Sequence, residues 1–307
     1  MRLGIDLGGT KIEIVALDDA GHVILRERVA TPKTEYGACI GAMRDLVLTA
    51  EKKVGAQGSV GVAIPGTISP KTGLVKNSNS TALIGHPLDR DLSEALARPV
   101  RVANDANCFV LSEATDGAAA GESIVFGIIA GTGFGGGICI DGRVVTGAHS
   151  IAGEWGHNPL PRPQADEVPG PHCYCGKYGC IESWCSGPAL SAQFEAATGR
   201  ELPAHEIAAL AAGGDAAATA MMEAFLDRFA RTISTVVNIL DPDVIVLGGG
   251  LSNIDALYRE LPPRVQSLAF TPEGETRIVK NMHGDSSGVR GAAWLWREDE
   301  IASALPA

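Results

Sequence analysis

Three cysteines stand within eight positions in HCYCGKYGCIES, residues 172–183: Cys173, Cys175 and Cys180. His157 lies sixteen residues before the first of them. One imidazole and three thiolates form a closed tetrahedral set suited to structural Zn²⁺. His172 offers a rival imidazole. Free thiols in a reducing compartment are the plain alternative, but the close spacing and the turn glycines of CGKYGC favour metal. The intervening stretch 158–172 holds five prolines and little apolar matter, so it needs a staple. A metal here would tie His157 and Glu182 into one rigid body. An imidazole that gives one nitrogen to a metal can give the other to a second partner.

A second group of residues can do acid–base work. ANDAN (103–107) falls where a strand gives way to a helix, and Asn104 and Asp105 stand at its cap. Helix capping explains such residues by itself. In an open α/β sheet, however, the carboxyl end of a strand is also where ligands bind. An aspartate there can take the proton of a sugar hydroxyl as it attacks phosphorus. GEWGH supplies Glu154 and His157, CIES supplies Glu182, and NSNSTA (77–82) supplies Asn77 and Asn79. Taken singly, each reads as part of a surface loop. Together they form carboxylates, amides and an imidazole with few cations, a lining suited to a neutral polyhydroxyl compound.

Glycine-rich turns make up the third group. GTGFGG (131–136) matches G-x-G-x-x-G, but that fingerprint opens a helix, and here a strand follows. GGTK (8–11) lacks the spacing and the helix of a P-loop. Both read instead as hairpin turns whose backbone N–H groups can point at phosphate oxygens. VLGGG (246–250) ends an apolar strand ahead of a helix, a place where a nucleotide base or ribose could lie against backbone.

The elements that must carry these residues follow from the hydrophobic pattern. Strands are expected at 2–6, 12–17, 23–29, 59–66 (ending in Pro-Gly), 100–104, 123–130, 136–145, 243–250 and 276–280. Helices are expected at 36–54, 89–97, 106–121, 188–197, 204–212, 215–239, 253–268 and 286–297, with 150–187 irregular. LGIDLGGT and VFGIIAGTGFGGGI echo one another as strand, Gly-Thr-Gly-type turn and returning strand, which puts a boundary near residue 120. The chain has 307 residues, enough for two domains. A net charge of −11 leaves no basic stripe for nucleic acid. No apolar run is long enough to cross a membrane. The opening MRLGIDLGGTK starts a strand without a signal region, and seven unevenly spaced cysteines suit a reducing compartment, so a cytoplasmic location is expected. Cys39, Cys108, Cys139 and Cys185 sit in apolar or helical settings and read as inert.

With these motifs in place, the chain resembles the ROK family of sugar kinases, in the actin-like ATPase (hexokinase-like, ribonuclease H-like) superfamily. GIDLGGTK (4–11), GVAIPG (61–66), ANDANC (103–108), GTGFGGG (131–137), GEWGH (153–157), CYCGKYGCIE (173–182) and DPDVIVLGGG (241–250) carry the resemblance over nearly the whole chain. It implies an α/β fold of two lobes with an interlobe cleft. The expected division is 1–120 and 121–307, with helix 286–297 packing back on the first lobe. It implies Asp105 as catalytic base; Asn79, Asn104, Asp105, Glu154, His157 and Glu182 as sugar ligands; and Gly8, Gly9, Thr10 and Lys11 as the first phosphate loop. Gly131, Thr132 and Gly133 would form the second phosphate loop, and Gly248, Gly249 and Gly250 would lie near the nucleotide. Asp6 would lie near Mg²⁺ brought by ATP, and His157, Cys173, Cys175 and Cys180 would bind zinc. A homodimer is expected. Fructose, with mannose second, is the expected substrate, because VKNSNSTALIGHPLDRDL (75–92), GEWGHNPLP (153–161) and HGDSSGVRGAAWLW (283–296) look most like bacterial fructokinases and the 77–82 loop would line the part of the sugar that differs; N-acetylglucosamine kinase and glucokinase are the alternatives. From other classes, a sugar-responsive binding protein would be expected to lose the base or a phosphate loop, and both are present. A DNA-binding regulator of this family would carry a helix-turn-helix before the first Gly-rich strand.

Overall fold

The computed structural model describes residues 1–32, 35–274 and 276–305. The chain divides into two compact units. The first gathers Met1–Ala120, Gly142–Ala152 and Asp285–Ala307; the second gathers Gly121–Asp141 and Gly153–Gly284. The chain therefore passes from one unit to the other more than once.

In the first unit, β1 (Arg2–Leu7), β2 (Lys11–Leu17) and β3 (Val23–Ala30) form an antiparallel meander. Helix α1 (Tyr36–Val54) follows, and β4 (Ser59–Ile64) then pairs parallel to β1. Next come the two-residue ladder of β5 (Thr67–Ile68) with β6 (Val75–Lys76), and helix α2 (Leu88–Leu96). Strand β7 (Val100–Asn104), parallel to β4, closes the order β3-β2-β1-β4-β7 and runs directly into α3 (Asp105–Asp116). The even burial of β4 and of most of β1 and β2 reflects a sheet covered on both faces.

The second unit repeats the plan. β8 (Ile124–Ala130) and β9 (Phe134–Ile140) form an antiparallel hairpin. After the turn at Asp141 and Gly142, β10 (Arg143–Val144) already belongs with the first unit. Beyond the irregular stretch lie α4 (Glu182–Cys185), α5 (Gly187–Thr198), α6 (Ala204–Ala212) and the 25-residue α7 (Ala216–Leu240). β11 (Val244–Gly248) pairs parallel to β8, α8 (Ala256–Leu268) follows, and β12 (Arg277–Lys280) pairs parallel to β11. Helices α9 (Ser287–Ala293) and α10 (Ile301–Ala304) end the described chain. Each unit thus has a strand hairpin whose first strand is extended by parallel neighbours, the form expected from the internal echo.

Several boundaries differ from the sequence-based expectation. The helix expected over 106–121 stops at Asp116, because Glu113 turns back to accept the N–H of Ala118. The strand expected over 136–145 is broken at Asp141 and Gly142, both with positive φ. The helix expected from 253 starts at Ala256, since Gly250–Asn253 forms a separate 3₁₀ turn. The helix expected over 286–297 spans Ser287–Ala293. Beyond it, the Trp296 indole donates to the Val60 carbonyl at 2.7 Å, and Glu300 receives a bidentate Arg101 pair at 2.7 and 2.8 Å. α9 packs on β1 and β4 over Gly4 and Gly61, where any Cβ would collide with helix backbone. Among the described residues no helix is long and apolar enough to cross a membrane.

Residues 150–187 are not shapeless. His172 bridges to Tyr178 and Pro159 to Cys180, two isolated antiparallel bridges. Glu167 anchors the proline-rich part. Its buried carboxylate receives Arg231 at 2.8 and 2.9 Å and Arg228 at 2.7 Å, and Arg231 also donates to the carbonyls of Pro161 and Arg162. Burial alone would raise the Glu167 pKa, but the hydrogen bonds from Arg231, Arg228 and Gln164 overcome it and hold the value down to about 2. That lies below the roughly 4.3 of an unfolded glutamate. The carboxylate therefore stabilises the fold above about pH 4.3 and loses this contribution as pH falls towards 2. Glu167→Ala is expected to cost about 3–5 kcal/mol at pH 7. In urea denaturation the gap to the parent chain should be full at pH 7 and shrink steadily below pH 4; a gap independent of pH would refute the charged role.

Candidate active site

In the first unit, the candidate groups line the carboxyl edge of the sheet. Asp6 on β1 pairs in register with Ala63 on β4, and Ala63 pairs with Ala103 on β7, one residue before Asn104. Asp105 is the first residue of α3 and is exposed, with one carboxylate oxygen 2.8 Å from the N–H of Ala106. The Asn104 side-chain oxygen accepts from Ala106 and Asn107 and caps the helix. Its carboxamide NH₂ is the part with chemistry to offer a ligand. Asp6 is half-buried, and burial followed by the nearby Asp105 carboxylate raises its pKa to about 6. Such a concentration of negative charge is what a divalent cation relieves.

The turn at 8–11 is a tight hairpin: Gly8 N–H donates to the Lys11 carbonyl at 3.0 Å, and Gly9, Thr10 and Lys11 are exposed. Thr31 hydroxyl braces it by donating to the Gly8 carbonyl at 2.7 Å. Asn79 and Gly9 share a cavity of about 300 Å³ with Leu7, Pro32, Cys39 and Leu83. Asn77 is exposed at a positive φ and does not line it.

In the second unit, GEWGH is pressed onto the start of β9. A Cβ on Gly153 would strike the Gly136 carbonyl and one on Gly156 the Phe134 carbonyl, so only glycine permits this approach. That contact sets the positions of Glu154 and His157. The turn 131–133 meets the glycine run after β11: Gly131 lies against Gly249 and Gly250, and Gly249, at φ 78, has no room for a Cβ beside the Ala130 carbonyl. Gly248 is buried, while Gly249 and Gly250 are exposed. Glu182 opens α4, and one of its carboxylate oxygens accepts the Phe134 N–H at 2.8 Å. Sequence reasoning missed this contact, which spans 48 residues and has no local signature.

The ligand atoms of His157, Cys173, Cys175 and Cys180 all lie within 4.8 Å of one another. Cys173 Sγ is 3.6 Å from His157 Nδ1, and Cys175 Sγ is 3.6 Å from Cys180 Sγ. A tetrahedral Zn²⁺ with bonds of about 2.3 Å to sulfur and 2.0 Å to nitrogen requires edges of about 3.6–3.8 Å. The donor set and spacing therefore fit a metal. A hydrogen bond from the Lys177 backbone lowers the Cys175 pKa, whereas burial and then the neighbouring Cys175 and Cys173 push Cys180 up to about 12. His172, the rival, sits edge-on to Tyr178 at 5.1 Å and is outside the group. The second nitrogen of His157, Nε2, is 3.0 Å from the Tyr174 hydroxyl. Tyr174 lies close enough to Glu182 and Glu154 that burial and then these carboxylates raise its own pKa to about 12. Sequence reasoning did not single out Tyr174.

The ROK family model matches residues 2–299. The chain belongs to the ROK family. It is 42% identical over 299 residues to an N-acetyl-D-glucosamine kinase of Pectobacterium atrosepticum, an alignment covering 96% of this chain and 98% of that one. The ROK hexokinase from Thermus thermophilus superposes with a TM-score of 0.84 at 30% identity, over 95% of this chain and 96% of that one. The ROK family glucokinase from Streptomyces griseus, solved with glucose and AMPPNP, gives 0.75 at 26% identity, over 95% and 97%. The fold of this ROK chain is accordingly the two-lobed, actin-like ATPase fold.

Metal analysis should find about one equivalent per ROK chain, with Zn²⁺ expected from the donors. Cys180→Ser should abolish retention through desalting. Tyr174→Phe should keep the metal but release it to a chelator about tenfold faster, because the partner of Nε2 fixes the imidazole. Full metal retention in Cys180→Ser would exclude the site.

Proposed function

We propose that this ROK chain is an ATP-dependent sugar kinase that phosphorylates the primary hydroxyl of N-acetyl-D-glucosamine. The observation that carries the substrate is the 42% identity, over almost the full length of both chains, to an enzyme of that name. The expectation of fructose, with mannose second, rested on the 77–82 loop. It gives way here to the alternative, because one loop of six residues weighs less than a whole-chain likeness. The cavity beside Asn79 supports the same reading, since its apolar wall of Leu7, Pro32 and Leu83 can receive an acetamido methyl group that fructose lacks.

Phosphoryl transfer asks the protein mainly for positioning and charge. In this reading Asp105 accepts the proton of the attacking hydroxyl, the hydroxyl oxygen bonds to the γ-phosphorus, and the bond to ADP breaks. Asn79, Asn104, Glu154, His157 and Glu182 hold the sugar. The N–H groups of the turns at 8–11 and 131–133 hold phosphate oxygens, and Gly248–Gly250 lies beside the nucleotide. Mg²⁺ enters with ATP as part of the substrate, and Asp6 faces it. The Cys₃His group holds a structural Zn²⁺, which supplies rigidity rather than reaction chemistry.

ADP release with Mg-ATP should give a higher kcat/KM for N-acetylglucosamine than for glucose, mannose or fructose. A preference for fructose would restore the earlier reading of the 77–82 loop. Asp105→Asn should lower kcat by about 10²–10⁴-fold while sugar binding by calorimetry stays within a few-fold; near-normal turnover would remove Asp105 as base.

A further inference from the structure

Two backbone loops of different chemistry are joined by one carboxylate. Glu182 is two residues from Cys180, at the end of the metal-binding run. Its Oε2 accepts the N–H of Phe134, the first residue after the turn 131–133, at 2.8 Å. The same oxygen stands 3.1 Å from where a Cβ on Gly133 would lie, so the carboxylate is seated directly under the turn. A second tie reinforces it: the Gly187 N–H, just beyond α4, donates to the Gly131 carbonyl at 2.8 Å. On the metal side, α4 is held equally closely. Ile181 N–H donates to the Asn158 carbonyl at 2.9 Å, and Ser183 hydroxyl donates to the Cys180 carbonyl at 2.7 Å. Between the sulfur of Cys180 and the phosphate turn there is therefore one short, hydrogen-bonded helical turn.

We infer that Glu182 is a positioning residue that couples the Cys₃His group to the 131–133 turn, so that metal binding and nucleotide binding strengthen one another. The inference rests on the proposed function in taking that turn as a nucleotide loop. The physical reason is local. A turn of glycine and threonine has no side-chain packing to fix its N–H vectors, and glycine carries the largest backbone freedom to lose. A carboxylate that accepts the first N–H after the turn, anchored two residues from a metal ligand, restricts that freedom before any phosphate arrives. Preorganisation of this kind appears as affinity. Linkage then makes the effect reciprocal: whatever tightens nucleotide binding through the metal group must tighten metal retention through the nucleotide.

The experiment measures the zinc affinity of the chain by equilibrium competition with the chromogenic chelator 4-(2-pyridylazo)resorcinol, with and without saturating Mg-AMPPNP, alongside AMPPNP affinity by calorimetry. In the parent chain, AMPPNP should tighten zinc binding about five- to tenfold. In Glu182→Ala that tightening should vanish, and AMPPNP affinity should fall by a similar factor. Glu182→Gln keeps an oxygen acceptor for Phe134 and should recover most of both, even if sugar affinity stays impaired. Glu182→Asp draws the carboxylate back from the Phe134 N–H while leaving the turn's own residues intact and should also lower the tightening, which covers the case in which Glu182→Ala does not fold. Tightening that persists in Glu182→Ala, or loss of sugar affinity with AMPPNP affinity unchanged, would overturn the coupling. A parent chain that binds AMPPNP with no effect on zinc affinity would overturn it while leaving the proposed function standing. A parent chain that binds no AMPPNP would overturn both.

Discussion

Residues 158–172 have too little apolar surface to hold a shape by burial, and their five prolines remove backbone donors while leaving every carbonyl in need of a partner. The guanidinium of Arg231 meets that need. It donates to the carbonyls of Pro161 and Arg162 and to Glu167 at once, from inside helix α7. A buried ion pair is often no better than an apolar pair, because both charges are stripped of water. Here no apolar substitute could serve, since the carbonyls would remain unpaired. This polar clamp holds the middle of the segment, and the Cys₃His group, with His157 before it and the cysteines after it, brings its two ends together. Between them they determine where His157 and Glu182 stand, and so most of the candidate chemistry of the second unit.

The two units use one device with different fittings. Each has an antiparallel hairpin with a glycine-threonine turn, and parallel strands extend the sheet beyond the hairpin's first strand. Side chains at such a turn would block the backbone N–H groups that make it useful to an anion. The carboxyl end of the adjoining parallel strands is then left for larger side chains. In the first unit that edge carries Asp6, Asn104 and Asp105; in the second it carries the Gly248–Gly250 run. The repetition of backbone and the divergence of side chains together place carboxylates and an amide on one sheet edge and bare glycine backbone on the other.

Much of this was legible in the sequence. Alternation and apolar runs located the strands, and 36–54 was recovered to the residue as a helix. The convergence of His157, Cys173, Cys175 and Cys180 was legible too, because Cys-x-Cys within a few residues of a third cysteine has few other uses in a chain of this composition. The choice between His157 and His172 was not legible from spacing alone. It turns on the docking of GEWGH against β9, which depends on two glycines meeting backbone far away in sequence. The same holds for Glu182, whose partner lies on a strand 48 residues earlier. At Asn104 the capping and ligand readings proved compatible, since the oxygen caps α3 and the NH₂ does not. The 77–82 loop was the least secure guide, because its specificity depends on which side chain faces the cavity: Asn79 does and Asn77 does not.

These contacts also explain why the candidate groups sit where small errors matter. A donor displaced by about 1 Å can cost a hundredfold in rate, so a kinase gains little from ligands held on loose loops. Glycine at 153, 156 and 249 lets backbone lie on backbone without an intervening side chain, and such contacts have no rotamers to relax. Asp105 gains the same firmness from a different source: it begins a helix whose cap, Asn104, is the last residue of a sheet strand. Rigid elements thus carry the groups of both units, and the polar segment 153–187, which has no core of its own, borrows its rigidity from Arg231, from the cysteines and from β9. Loss of any one of these should therefore disturb positions at the candidate site before it disturbs the first unit's sheet, whose apolar core takes no residue from this segment.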